Sequence, residues 1–197
     1  TNAACDIMLQ CAEGLNYMHG LGVIHCDIKP ENVFLCSSGT GVDSRRNEVR
    51  LLDFGLASRP SVDSRELVAA TTVAGTPTYM APERIRVQTP TPASDVYAMG
   101  VLFYECLTGR PPFSGRLRDI LFGHLRETPI PPSRLLRTTP PLAKPLEDLV
   151  LRALQKEPQH RYQQAADFAF ELRQIMHSLG LRRRIEDTTR PVSPRAD

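Results

Sequence analysis

His25-Cys26-Asp27-Ile28-Lys29-Pro30-Glu31-Asn32, reading HCDIKPEN, follows the apolar pair Val23-Ile24 and brings an imidazole, a carboxylate, an ammonium and an amide into one short stretch. Such a set is awkward on a plain surface loop unless the groups share a ligand. Phosphoryl transfer provides one. That reaction needs a hydroxyl held in line with phosphorus, charge offset on the equatorial oxygens, and a bound Mg²⁺. On this reading Asp27 accepts the hydroxyl proton, Lys29 lies against the transferred group, and Asn32 offers a neutral oxygen to the metal. Magnesium takes oxygen ligands and wants a carboxylate among them. Asp53, closing a strand-like run and followed two residues later by the permissive Gly55, supplies it.

The surrounding sequence reads as mostly helix. From Ala3 to His19 the apolar residues Ile7, Cys11, Leu15 and Met18 recur at helical spacing, and Gly20 stands at the predicted stop. Val33-Phe34-Leu35 and Val49-Arg50-Leu51-Leu52 flank a polar connection, Ser37 to Glu48, and predict a hairpin. Pro60 to Thr72 is polar, rich in hydroxyls and without a period, which predicts a mobile loop. Ser94-Asp95 is the predicted N-cap of a helix from Val96 to Leu107 that is apolar almost all round and so belongs at the centre of a domain. Gly109 and Pro111-Pro112 end it. Amphipathic helices are predicted over Leu117 to Arg126, Leu146 to Gln155 and Gln163 to Leu179, and the charged, Pro-containing tail from Leu181 reads as a linker.

Composition narrows the classes. The 197 residues suffice for one domain with a real core, and 24 Lys and Arg stand against 22 Asp and Glu. The small excess sits in the tail, where Arg182, Arg183, Arg184, Arg190 and Arg195 face Glu186, Asp187 and Asp197. The rest is balanced, which argues against a nucleic-acid-binding face. Cys5, Cys11, Cys26, Cys36 and Cys106 are odd in number and lack metal spacing, so a reducing, cytoplasmic setting is expected, with most thiols acting as small hydrophobes. No apolar run is long enough to span a membrane. The basic tail would also suit the cytoplasmic part of a membrane-anchored protein. Oligomeric state leaves no mark in the sequence.

Taken together, these motifs resemble the eukaryotic-type serine/threonine protein kinases. HCDIKPEN is similar to their catalytic loop, Asp53-Phe54-Gly55 to the metal-binding DFG, and Ala81-Pro82-Glu83 to the APE that closes the activation segment. Gly75-Thr76-Pro77-Thr78-Tyr79-Met80 precedes it as in the serine/threonine branch. Asp95 to Gly100, DVYAMG, resembles the start of the family's buried central helix, and Arg161 the arginine that pairs with the APE glutamate. The style of DIKPEN, LLDFGLA and LTGRPPF is similar to that of bacterial members. The resemblance runs from about Ala3 to Leu179 and corresponds to the C-terminal lobe alone. The sequence contains no G-x-G-x-x-G loop, no V-A-I-K-type lysine and no helix bearing that lysine's glutamate partner.

The resemblance implies a mainly α fold, a kinase C-terminal lobe with a small β-hairpin over residues 1–180, its N-terminal lobe lying outside this chain, and a polar basic linker over 181–197. It implies transfer of the ATP γ-phosphoryl group to protein Ser or Thr hydroxyls with Mg²⁺, the isolated lobe being inactive. Asp27 and Lys29 would act in the chemistry, and the Thr76 hydroxyl would bridge them and help seat a Ser/Thr substrate. Lys29, Asn32 and Asp53 would contact the nucleotide, with Asn32 and Asp53 as the metal ligands. His25, packed against Phe54, would be structural, as would Gly55, Glu83, Asp95 and Arg161. Asp95 would hold backbone N–H groups of the catalytic loop. Two rivals remain: a pseudokinase or lobe fragment that serves as a binding module, and a small-molecule kinase of the aminoglycoside type, which would lack the GTPTYMAPE segment.

One position departs from the family pattern. Most members carry arginine where Cys26 stands, and that arginine pairs with a phosphate on the activation loop. A thiol cannot make this charge-assisted, bidentate contact. Phosphorylation at Ser58, Ser61, Ser64, Thr71 or Thr72 is therefore expected to activate weakly or not at all. Cys26 itself is expected to pack, with no cation beside it to favour a thiolate. Glu31 and Glu105 match positions where basic-directed members grip substrate arginines, although local hydrogen bonding is the simpler role for both.

Overall fold

A helix that is apolar on every side must lie inside, and the longest apolar stretch of this chain does. The computed structural model describes residues 1–38, 46–53, 76–136 and 141–181. Phe54, Gly55, the Pro60 to Thr72 stretch with its candidate phosphorylation positions, Gly75 and the tail beyond Leu181 lie outside the described residues. In chain order the elements are α1 (Asn2–Gly20), β1 (Val33–Ser38), β2 (Arg46–Leu51), α2 (Pro82–Ile85), α3 (Pro92–Thr108), α4 (Leu117–Arg126), α5 (Pro132–Leu135), α6 (Lys144–Ala153) and α7 (Ala165–Ser178). Short 3₁₀ turns stand at Pro30–Asn32, Pro77–Tyr79 and Pro158–His160.

Helix α3 is the hub. Val96, Met99, Val101 and Phe103 are wholly removed from water, and α1, α6 and α7 pack around them. Removing the side chains of Leu146, Leu149, Phe168 and Leu172 from water contributes about 1.5–3 kcal/mol each. Cys5 and Cys11 on α1 belong to this core. Burial pushes the Cys5 thiol up to about 11 and the Cys11 thiol up to about 12, so both remain protonated and act as small hydrophobes.

Several boundaries differ from the sequence reading by a few residues, and two of them have a clear local reason. Helix α3 begins before Ser94-Asp95. Pro92 takes the first turn, where its fixed φ fits, and Thr91 is the cap, its N–H donating to Ser94 Oγ at 3.0 Å. Asp95 is thereby inside the helix rather than capping it. Helix α1 runs through Gly20, and the chain reverses at Gly22, whose φ of 69° suits glycine. That reversal feeds Val23 and Ile24 into the loop that follows.

The hairpin pairs Val33 with Leu51 and Leu35 with Val49 in antiparallel register. It docks on α1, where Gln10 Oε1 accepts from Val49 N at 3.0 Å. The end that starts at Val33 continues directly from the loop over residues 25–32, while the connection over residues 39–45 lies outside the described residues.

Gly100 allows α3 and α6 to meet. A Cβ built there would lie 2.7 Å from Ala153 Cβ, closer than two carbons can approach. Gly100→Ala gains helix propensity yet overpacks the hub. We expect a net loss of about 1–3 kcal/mol, measured as a lower urea midpoint with an unchanged slope.

Candidate active site

The loop from His25 to Asn32 lies across the N-terminal half of α3 and is fastened there by one carboxylate. Asp95 is 1% exposed. Its Oδ2 accepts from His25 N at 2.8 Å and from His19 Nε2–H at 2.9 Å, and its Oδ1 accepts from Cys26 N at 2.8 Å. Because a carboxylate only accepts, the His19 nitrogen facing it carries the hydrogen. Cys26 sits at φ 68°, in the left-handed region that costs a non-glycine residue about 1–3 kcal/mol. The bond from its own N–H to Asp95 holds it there. His25 is fully buried, and its Nδ1 accepts from Asp27 N at 3.3 Å. Its packing against Phe54 falls outside the described residues.

This bend places three of the expected groups together. Lys29 Nζ lies 2.6 Å from Asp27 Oδ2. Asn32 Nδ2 donates to Asp27 O at 2.8 Å and to Asp27 Oδ2 at 3.0 Å. The Asn32 amide N–H₂ is used in these bonds, and its amide oxygen is a hard neutral donor. Asn32 O in turn accepts from Leu52 N at 2.9 Å, which ties the loop to the end of the hairpin. Asp53 follows directly, exposed and at φ 59°, two residues beyond the last residue of β2. Two oxygen donors of the type magnesium prefers therefore stand on adjoining segments, and the residues fit that ion. Among the described residues there is no cluster of three or more His, Cys, Asp or Glu side chains arranged for a metal.

Thr76 lines a small cavity together with Cys26, Asp27, Tyr79, Arg84 and Asp95. The sequence reading placed no cation near Cys26, yet Arg84 shares this cavity with it. The following turn, Pro77–Tyr79, is fixed from two sides. Tyr79 Oη donates to Glu105 Oε2 at 2.6 Å. Burial and that carboxylate raise the Tyr79 hydroxyl above its ordinary range, so it stays a donor. Glu105 is thus used locally, and Glu31 is exposed on the Pro30–Asn32 turn. From the other side, His124 Nε2–H donates to Thr78 O at 2.9 Å.

Glu83 and Arg161 form a buried fork. Two parallel bonds of 2.8 Å join the guanidinium to both carboxylate oxygens, and Ser94 Oγ adds a third donor to Glu83 at 2.7 Å. The remaining Arg161 N–H groups go to the carbonyls of Ala93, Gln155 and Lys156. Burial alone would raise the Glu83 carboxyl, but Arg161 and Ser94 outweigh it and hold it below the usual range.

His19, Tyr97 and His124 were not singled out from the sequence. Tyr97, as a hydroxyl on a wholly buried helix, was the one readable signal, since such a group must find a partner. It finds His124 Nδ1 at 2.8 Å.

Comparison with known proteins accords with this geometry. The family model of the protein kinase domain matches residues 1–177. The chain is 37% identical over 170 residues to serine/threonine-protein kinase PknB of Mycolicibacterium smegmatis, covering 86% of this chain and 25% of that protein. It is 38% identical over 170 residues to PknB of Mycobacterium leprae, with the same coverage. It is 32% identical over 196 residues to a probable PknB of Corynebacterium glutamicum, covering 97% of this chain and 29% of that protein. The chain belongs to the protein kinase family, in its eukaryotic-type serine/threonine branch, and spans about a quarter of the length of these relatives. Among the described residues no helix is long and apolar enough to cross a membrane.

Two outcomes follow. Asp95→Asn replaces one acceptor oxygen by an N–H₂ that faces other donors. It should cost about 2–4 kcal/mol in urea unfolding, since a buried donor without a partner costs about 1–3 kcal/mol. The second concerns acid. Burial and Lys156 lower His124 from 6.5 to about 4. The unfolded chain therefore takes up a proton on this residue that the folded chain refuses until about pH 4. Stability should fall as pH drops from 6.5 toward 4, by about 3 kcal/mol in full, with most of the slope in that window lost in His124→Gln. Lys156, lowered to about 8 by burial and by Arg161, titrates above that window.

Proposed function

We propose that the protein containing this chain transfers the γ-phosphoryl group of ATP to Ser or Thr hydroxyls of protein substrates, and that the loop from His25 to Asn32 carries the chemistry. The observation that carries this reading is that the Lys29 ammonium and the Asn32 amide both lie within hydrogen-bond reach of the Asp27 carboxylate, on a loop held by a buried anchor. Asp27 orients the acceptor hydroxyl and takes its proton as the bond to phosphorus forms. Lys29 keeps Asp27 in place before substrate arrives and then offsets negative charge on the transferred group. Asn32 and Asp53 would hold magnesium, which when bound screens the phosphate charges from the incoming oxygen. Thr76, in the same cavity as Asp27, seats the acceptor.

The complete polypeptide is the catalyst in this proposal. This chain forms one wall of a nucleotide cleft, residues 1–180 acting as that wall and residues beyond it as a linker, in a cytoplasmic setting. A lobe acting only as a binding module would gain nothing from a carboxylate, an ammonium and an amide brought into contact.

The test is Asp27→Asn in the full-length protein, with radiolabelled ATP, Mg²⁺ and myelin basic protein as acceptor. The substitution keeps the shape of the side chain and removes the proton acceptor. We expect kcat to fall by about two to four orders of magnitude with the unfolding midpoint unchanged. Turnover within about threefold of the parent would refute the assignment.

A further inference from the structure

His124 is an expensive core residue. It is fully buried on α4, where a leucine or phenylalanine would fill the space without desolvating two ring nitrogens. Both nitrogens are used. Nε2–H donates to Thr78 O at 2.9 Å, which leaves Nδ1 as the acceptor for the Tyr97 hydroxyl at 2.8 Å. The imidazole is therefore neutral and fixed in one tautomer. Its plane is set by two edge-to-face neighbours, Phe113 with centroids 5.1 Å apart and Tyr97 at 5.7 Å.

The cage is keyed to the rest of the lobe. A Cβ on Gly123 would lie 2.6 Å from the Phe113 ring, so the adjoining glycine is what lets that ring lie against α4. Lys156 Nζ donates to Gly123 O at 2.8 Å and stands 4.3 Å from the Phe113 centroid. On the far side the Arg161 guanidinium lies 4.7 Å from the Tyr97 centroid. A continuous buried chain thus runs from the Glu83–Arg161 fork through Tyr97 and His124. It ends on the backbone of the turn that carries Thr78.

We propose that His124 is a positioning residue for the protein acceptor: by holding the Thr78 carbonyl it sets where Thr76 and Tyr79 stand beside Asp27, and so governs affinity for the peptide. The proposal rests on the kinase reading above. The imidazole touches neither nucleotide nor the reacting atoms. Its influence passes through the Pro77–Tyr79 turn, which the Tyr79–Glu105 bond also fastens. Without the histidine bond, the Thr78 carbonyl loses its side-chain donor and the turn is held less tightly on the α4 side.

The test uses the full-length protein with myelin basic protein as acceptor and compares the parent with His124→Phe, His124→Gln and Tyr97→Phe. Phenylalanine keeps the ring and loses both hydrogen bonds; glutamine can restore the donor to Thr78 O. We expect His124→Phe to raise the acceptor KM about tenfold or more while the KM for ATP stays within about twofold, and His124→Gln to recover most of the loss. Tyr97→Phe, which frees Nδ1, should raise the acceptor KM about threefold or more. A fall in kcat with both KM values unchanged would assign His124 to stability alone and overturn the proposal, as would parity with the parent. If His124→Phe does not fold, Tyr97→Phe decides, since an unchanged acceptor KM there also overturns it. A parent protein that transfers no phosphate overturns the kinase reading and this inference with it; an active parent with indifferent variants overturns this inference alone.

Discussion

Asp95 accepts hydrogen bonds from three donors while almost wholly removed from water, and the loop from His25 to Asn32 has the shape it has because of them. Two of those donors are consecutive backbone N–H groups, which the loop can present together only by bending sharply at Cys26. The third comes from the end of α1, so the carboxylate also ties the first helix to the hub. A buried carboxylate without donors would cost several kcal/mol, so loop and carboxylate enforce one another. The bend then turns Asp27, Lys29 and Asn32 toward a common point.

The same helix carries a second anchor near its start. Ser94, one residue before Asp95, donates to Glu83, whose other bonds come from Arg161. All five N–H groups of that guanidinium have acceptors, which is what makes so buried a charge tolerable. The loop from His25 to Asn32 and the Glu83 segment that follows the Pro77–Tyr79 turn are therefore both referred to successive residues of α3. Their relative placement does not depend on surface loops. A site built this way is organised before substrate arrives, which is where positioning catalysis draws its advantage. Tyr97, two residues further along α3, extends this frame through His124 to the Pro77–Tyr79 turn.

Cys26 shows which part of this arrangement is independent of side-chain identity. Its backbone N–H bonds Asp95 and its φ is imposed by the loop, so the bend does not call for any particular side chain there. Arg84 lines the same cavity, brought in by α2, and its presence could not be inferred from the spacing of the two residues in the chain.

Much of this was legible along the chain. Apolar periodicity located α1, α3, α4, α6 and α7 to within a few residues, because each helix is long enough for its buried face to repeat. The order of short motifs pointed to the family, because phosphoryl transfer needs those functional groups at close spacing in one loop. The misplaced start of α3 came from reading Ser94-Asp95 as the cap; Thr91 is the cap, and Pro92 takes the first turn, where its fixed φ fits. The roles of His19, Tyr97 and His124 were out of reach. Each depends on a partner dozens of residues away in sequence, and a histidine at a helical position looks the same whether it faces solvent, a carboxylate or a carbonyl. Local chemistry could be read from the order of residues. Which buried polar groups satisfy one another was decided only when the helices packed, because burial is what makes an unpaired donor or acceptor intolerable.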